Sequence, residues 1–66
     1  MEIKVNGESC QITPSATVSQ LAEKLNIPAG GTAIAVNGKI VKKDTWDSTH
    51  LAENDNVTVI RAAYGG

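Results

Sequence analysis

Met1-Glu2-Ile3-Lys4-Val5-Asn6-Gly7-Glu8-Ser9-Cys10-Gln11-Ile12 is the stretch from which the fold can be read. Met1, Ile3 and Val5 alternate with Glu2 and Lys4, as in a strand with one buried side. Asn6-Gly7 is a strong hairpin signal, because a type I′ turn needs positive φ at both central residues. Glu8 to Ile12 then returns beside the first strand, with Cys10 and Ile12 turned inward, and Pro14-Ser15 ends it.

The next segment supplies a helix. Thr17 is a good N-cap, and Gln20 three residues later completes a capping box. Val18, Leu21, Ala22 and Leu25 repeat at helical spacing and give one apolar stripe. Asn26 suits the left-handed position at the C-terminus, and Pro28 prevents continuation. A helix of about 9 residues is too short to stand alone in water, so it must lie on a sheet.

Beyond the Ala29-Gly30-Gly31 loop, Thr32 to Val36 reads as a third strand, with Ile34 and Val36 on one face and Ala33 and Ala35 on the other. Asn37-Gly38 is a second tight turn, and Lys39-Ile40-Val41 a short fourth strand. Lys42 to His50 has no clear period and reads as irregular. Glu53-Asn54-Asp55 is a turn in which Asn54 tolerates positive φ. Val57 to Ile60, extending as far as Ala62, is the last strand, and beside strand one in parallel it would fill the centre. The fold class is therefore α+β, a mixed sheet of four to five strands with one helix on one face. Residues 1–62 form the domain and residues 63–66 a flexible tail.

Composition narrows the function. A chain of 66 residues makes one domain and buries only about 60% of its unfolded surface, which leaves little room for an internal active site. The net charge of −1 and pI near 5.6 argue against a nucleic-acid binder. Lys42-Lys43 is the one basic pair, and Asp44 and Asp47 follow it. A single cysteine permits no internal disulfide, and no apolar run suits a signal peptide or membrane helix. A soluble, cytoplasmic protein, monomeric when free and without membrane contact, is the default expectation.

The chain ends Tyr64-Gly65-Gly66. Such an end presents a carboxylate on a stem without side chains, which can enter a channel that larger residues would block. Gly30-Gly31 has no terminal carboxylate, so there the same dipeptide means only backbone freedom. Arg61 to Gly66, extended, spans roughly 20 Å, enough to leave a globular body and reach a partner's cleft. The chain reads as a substrate that carries its chemistry at Gly66, not as an enzyme.

This order of elements resembles the ubiquitin-like β-grasp family, and within it the ThiS-type sulfur carriers of thiamin biosynthesis. The resemblance rests on Met1-Glu2-Ile3-Lys4-Val5-Asn6-Gly7, the helix start Thr17-Val18-Ser19-Gln20-Leu21, Ala35-Val36-Asn37-Gly38 with Ile40-Val41, Trp46, Asp55-Asn56-Val57 and Gly65-Gly66. It covers essentially the whole chain. Two positions depart from the family pattern. Asn54 stands where glycine is frequent and accepts the same backbone conformation. Tyr64 stands where a small residue is common and would alter how the tail enters a channel.

The resemblance implies that a ThiF-like adenylyltransferase activates the Gly66 carboxylate with ATP. A sulfur donor, such as a cysteine desulfurase or rhodanese-type protein, then yields a thiocarboxylate, and a ThiG-like thiazole synthase receives the sulfur. ATP and its metal belong to the activating partner, and the carrier itself needs no cofactor. Gly65, Tyr64, Ala63, Arg61, Ile60, Thr58 and Ala35 are the expected partner-binding residues. Two relatives of this tail chemistry remain open: the MoaD-like small subunit of molybdopterin synthase, and a ubiquitin-like modifier joined to lysines. A plain interaction domain with an inert tail is the remaining alternative.

Other chemistry-bearing residues read as structural. Cys10 has no adjacent His, Lys or Arg to lower its pKa and reads as a small buried hydrophobe rather than a sulfur relay. His50 stands alone, and a metal site would need more ligands than Cys10 adds. Trp46 could anchor an interface but is favoured as a lid on a core without phenylalanine. If Val57 and Val59 face the helix, Thr58 and Ile60 face away with Ala33 and Ala35, and form a weakly polar patch at the root of the tail.

Overall fold

Both Asn-Gly pairs form the turns their sequence demands. Asn6 and Asn37 each have φ of 51°, and Gly7 and Gly38 each 85°. These are left-handed values that fit the twist of a two-residue hairpin. The structure is a computed structural model and describes residues 1–27 and 31–61. Its strands are β1 (Glu2–Val5), β2 (Glu8–Gln11), β3 (Thr32–Val36), β4 (Lys39–Val41) and β5 (Asn56–Arg61). The helix α1 spans Val18–Lys24, and a 3-10 helix spans Lys43–Ser48.

The strands form one five-stranded sheet in the order β2-β1-β5-β3-β4. β1 and β5 run parallel, with Lys4 opposite Asn56 and Val5 opposite Val57. The other pairings are antiparallel. The expected central position of the last strand is thus observed. The expected domain boundary at residues 62 and 63, the stop at Pro28 and the Ala29-Gly30 part of the loop lie outside the described residues.

One face of the sheet carries α1. Ile3 of β1, Ile34 of β3 and Val57 of β5 meet Val18 and Leu21 of α1, all five fully buried. Burying a side chain of this size stabilises a fold by about 1.5–3 kcal/mol, so these five set the stability of so small a protein. Trp46, Leu51, Ile12 and Ala16 close the margins of this cluster.

The helix begins and ends as its sequence requires. Thr17 Oγ1 accepts from the Gln20 amide at 3.2 Å, and Gln20 Oε1 accepts from the Thr17 amide at 2.8 Å. At the other end Asn26 takes φ of 55°, while the Ile27 amide donates to Ala22 O at 2.9 Å and the Asn26 amide to Glu23 O at 3.1 Å. This pair of bonds is a Schellman motif with asparagine in the position glycine usually holds. The motif takes Leu25 as its cap, so α1 has 7 residues instead of the expected nine or so.

The segment from Lys42 to His50, expected to be irregular, is largely a 3-10 helix. Hydroxyl groups explain the difference. Thr45 Oγ1 donates to Lys42 O at 2.8 Å, Ser48 Oγ to Thr45 O at 3.2 Å and Thr49 Oγ1 to Thr45 O at 2.8 Å. These local bonds stabilise a tight coil that leaves no hydrophobic period in the sequence. Trp46 pins the coil to the core and donates from Nε1 to Val41 O at 2.9 Å. His50 is exposed, and its backbone bridges Thr17 beside the helix start.

Cys10 also differs from expectation. It faces the core opposite Ile3 but is only half-buried, because β2 is an edge strand and α1 does not fully cover it.

The capping box gives a direct test. Thr17→Ala should destabilise the fold by about 1 kcal/mol. Followed by circular dichroism, the thermal midpoint should fall by roughly 4–8 °C. An unchanged midpoint would mean that the cap contributes nothing.

Candidate docking surface

Strand β5 has two different sides. Its inward residues, Val57 and Val59, pack with the core. Its outward residues are Asn56, Thr58 and Ile60, as the alternation of a strand requires. Register extends this outward face to the neighbours. Ile60 lies opposite Ala33 and Thr58 opposite Ala35 on β3. Ala35 in turn lies opposite Ile40 on β4.

The result is an apolar patch on the face away from α1. Ile40 is 61% exposed and Ile60 47%, the two large hydrophobic side chains that the described fold leaves in water. Thr58 is exposed beside them, and Arg61, on the other side of the alternation, is exposed at the end of the strand. Of the sequence-expected residues, Ile60, Thr58 and Arg61 are therefore accessible on this side of the molecule or at its end. Ala35 is not accessible to the same degree. It is 6% exposed, because its methyl group lies between the longer side chains of Thr58 and Ile40. Its part is to keep the patch flat, not to present a contact. Ala63, Tyr64, Gly65 and Gly66 lie outside the described residues.

Sequence reasoning missed Ile40. The signal was present: a two-residue turn at Asn37-Gly38 sets Val36 opposite Lys39, which places Ile40 across from Ala35. Once Ala35 is read as outward, Ile40 must be outward too.

Other candidate residues are not brought together. Trp46 is buried under the core margin, as a lid and not as an exposed anchor. Among the described residues no group of three or more His, Cys, Asp and Glu side chains could hold a metal ion. A shallow groove between α1 and the 3-10 helix, lined by Glu23, Asn26, Lys43 and Asp47 among others, opens on the helix side of the sheet. It mixes both charge signs and lies on the other face from Ile40 and Ile60.

The sequence of this chain matches the model of the ThiS family over residues 3–66. The chain belongs to the ThiS family. Sulfur carrier protein ThiS of Escherichia coli (strain K12) is 29% identical over 66 residues, the whole of both chains. The crystal structure of the thiamine biosynthesis protein ThiS from Geobacter metallireducens superposes with a TM-score of 0.85 at 23% identity, again over all of both chains. A ubiquitin-like protein from the archaeon Caldiarchaeum subterraneum superposes with a TM-score of 0.58 at 23% identity, over 98% of this chain and all of the other. At these identities the two structures speak for the fold, a ubiquitin-like β-grasp. Among the described residues, the five-stranded mixed sheet and one α-helix agree with them.

The two-sided character of the sheet can be tested without a partner. Ile40→Asp and Ile60→Asp should each leave the thermal midpoint within about 4 °C of the parent, because the new carboxylate stays in water. Ile34→Asp should abolish the cooperative transition, since it buries an unpaired charge among Ile3, Leu21 and Val57. A midpoint for Ile60→Asp as low as that for Ile34→Asp would invert the facing of β5.

Proposed function

We propose that this ThiS-family chain is a sulfur carrier in thiamin biosynthesis that holds its sulfur as a thiocarboxylate on Gly66 and delivers it for thiazole formation. The observation that carries the reading is the family match, which runs to Gly66. The full-length relative in Escherichia coli named as a sulfur carrier protein supports it.

The chemistry starts from the inertness of a carboxylate. At neutral pH the terminal carboxyl is ionised, its ordinary pKa being near 3.5, and an anion resists nucleophilic attack. A ThiF-like adenylyltransferase would let a Gly66 oxygen attack the α-phosphorus of ATP, with pyrophosphate leaving. The acyl adenylate is uncharged at the carbonyl and has AMP as a leaving group. A persulfide on a donor such as a cysteine desulfurase or rhodanese-type protein would then attack the carbonyl, with AMP leaving, and a thiol reductant would cleave the resulting acyl disulfide to free the thiocarboxylate. A ThiG-like synthase would take the sulfur, and an oxygen from water or the acceptor would restore the carboxylate. In this reading the carrier is a substrate of its partners and not a catalyst, and ATP and metal are held by the activating partner.

The outward face of the sheet supports the reading as a candidate docking surface. Ile40 and Ile60 are exposed, and β5 leads from Ile60 through Arg61 toward the C-terminal residues. A partner seated on this face would have the tail root at its edge. We place the protein in the cytoplasm with these partners. Among the described residues no helix is long and apolar enough to cross a membrane.

Deletion of Gly66 should leave the circular dichroism unchanged and abolish thiocarboxylate formation with the ThiF-like enzyme, ATP and a sulfur donor, read by mass spectrometry. Gly65→Val should block loading through bulk beside the reacting carbonyl. Undiminished loading of the truncated chain would falsify the carrier reading. Ile60→Asp should lower the adenylation rate at least about tenfold, since a carboxylate desolvated without a partner is costly. A normal rate would remove Ile60 from the docking surface.

A further inference from the structure

The two Asn-Gly turns are alike in backbone and unlike in what their side chains hold. Asn6 Oδ1 accepts from the Val59 amide at 2.9 Å, and the Asn6 amide donates to Val57 O at 2.9 Å. Asn37 Oδ1 accepts from the Asn56 amide at 3.0 Å, and the Asn37 amide donates to Asn56 O at 2.7 Å. The two turns thus bracket β5 from both sides. Asn37 does one thing more: its Nδ2 donates to Asp55 Oδ1 at 3.0 Å, while Asp55 Oδ2 accepts from the Ala52 amide at 2.8 Å. The orientation of the Asn37 amide is fixed by chemistry, because a backbone N–H can only donate and a carboxylate can only accept.

Asn-Gly is also the pair most open to loss of the side-chain amide, since glycine puts no side chain in the way of its own nitrogen. The Gly38 nitrogen attacks Asn37 Cγ, a C–N bond forms, the Cγ–Nδ2 bond breaks, and ammonia leaves with the proton from the Gly38 N–H. Water then opens the cyclic imide to aspartate or isoaspartate. We propose that Asn37 is a deamidation site at which conversion to aspartate unlatches β5, whereas the same conversion of Asn6 leaves the sheet intact. At Asn6 an aspartate oxygen still accepts from Val59, and aspartate tolerates the same left-handed turn. At position 37 the new carboxylate faces Asp55 at hydrogen-bond distance, so a donor-acceptor contact becomes a repulsion between like charges. The isoaspartate product lengthens the backbone in either turn, so the contrast rests on the aspartate product.

The test is independent of any carrier activity. Asn37→Asp, Asn6→Asp and the double variant Asn37→Asp/Asp55→Asn are compared by thermal denaturation near neutral pH. Asn37→Asp should lower the midpoint by roughly 5–10 °C and Asn6→Asp by no more than about 2 °C. In the double variant the amide and the carboxylate exchange places, every hydrogen bond can be remade, and most of the loss should be recovered. Equal effects of the two single variants, or no recovery in the double variant, would overturn the proposed latch, even if Asn37→Asp alone fails to fold. The parent protein is then incubated at mildly alkaline pH and mapped by peptide mass spectrometry. Conversion at Asn37 should accumulate, more slowly than in urea, with its aspartate form in the fraction of lower midpoint. No conversion at Asn37 while the urea-unfolded chain converts would overturn the assignment of the site.

Discussion

The insertion of β5 between β1 and β3 is the constraint on which the rest of the structure depends. A parallel pair cannot be joined by a tight turn, so the chain must cross over between β1 and β5. It uses that crossover to build α1, the β3–β4 hairpin and the 3-10 helix. Every strand of the sheet is then placed relative to β5, by direct pairing for β1 and β3 and through them for β2 and β4. The β1–β5 ladder is short, and the Asn6 side chain continues it where the β1 backbone turns away. A side-chain amide thus supplies the acceptor that a longer strand would have supplied.

The same strand has two unlike sides. Val57 is fully buried and Ile60 half open to water, although they are three residues apart on one strand. The inward side holds α1, and its side chains account for much of the stability. The outward side carries no such burden among the described residues, so a partner can cover it without disturbing the core. Ala35 shows how finely the patch is built, since a larger residue between Ile40 and Thr58 would raise a ridge where the sheet is now flat.

Most of this was legible in the residues because local rules and tertiary packing agree. Asn6-Gly7 and Asn37-Gly38 dictate both hairpins, and Thr17 with Gln20 starts the helix where the apolar stripe begins. The outward facing of Ile60 followed from alternation alone. Three features were hidden, each for a physical reason. The 3-10 helix is held by hydroxyls on nearby carbonyls and by one indole, which write no period into the sequence. The exposure of Cys10 depends on β2 being at an edge, which is a property of strand order and not of the strand itself. Ile40 could be placed only after Ala35 had been placed, because its facing is set across a turn. Ala63 to Gly66 of the candidate site lie outside the described residues.

The position of β5 also orders events in time. Contacts between Lys4 and Asn56 are distant in sequence, and closing such a loop is the slow part of folding a small domain. The two hairpins and α1 are local and can form within microseconds. They cannot, however, bury Ile3 and Ile34 under a finished sheet while the strand between them is missing. On the ribosome, residues 56–61 emerge after the other four strands, so the sheet can close only once they are free. A nascent chain halted before Val57 would hold an open sheet with two unpaired inner edges, the state most prone to pair with another chain.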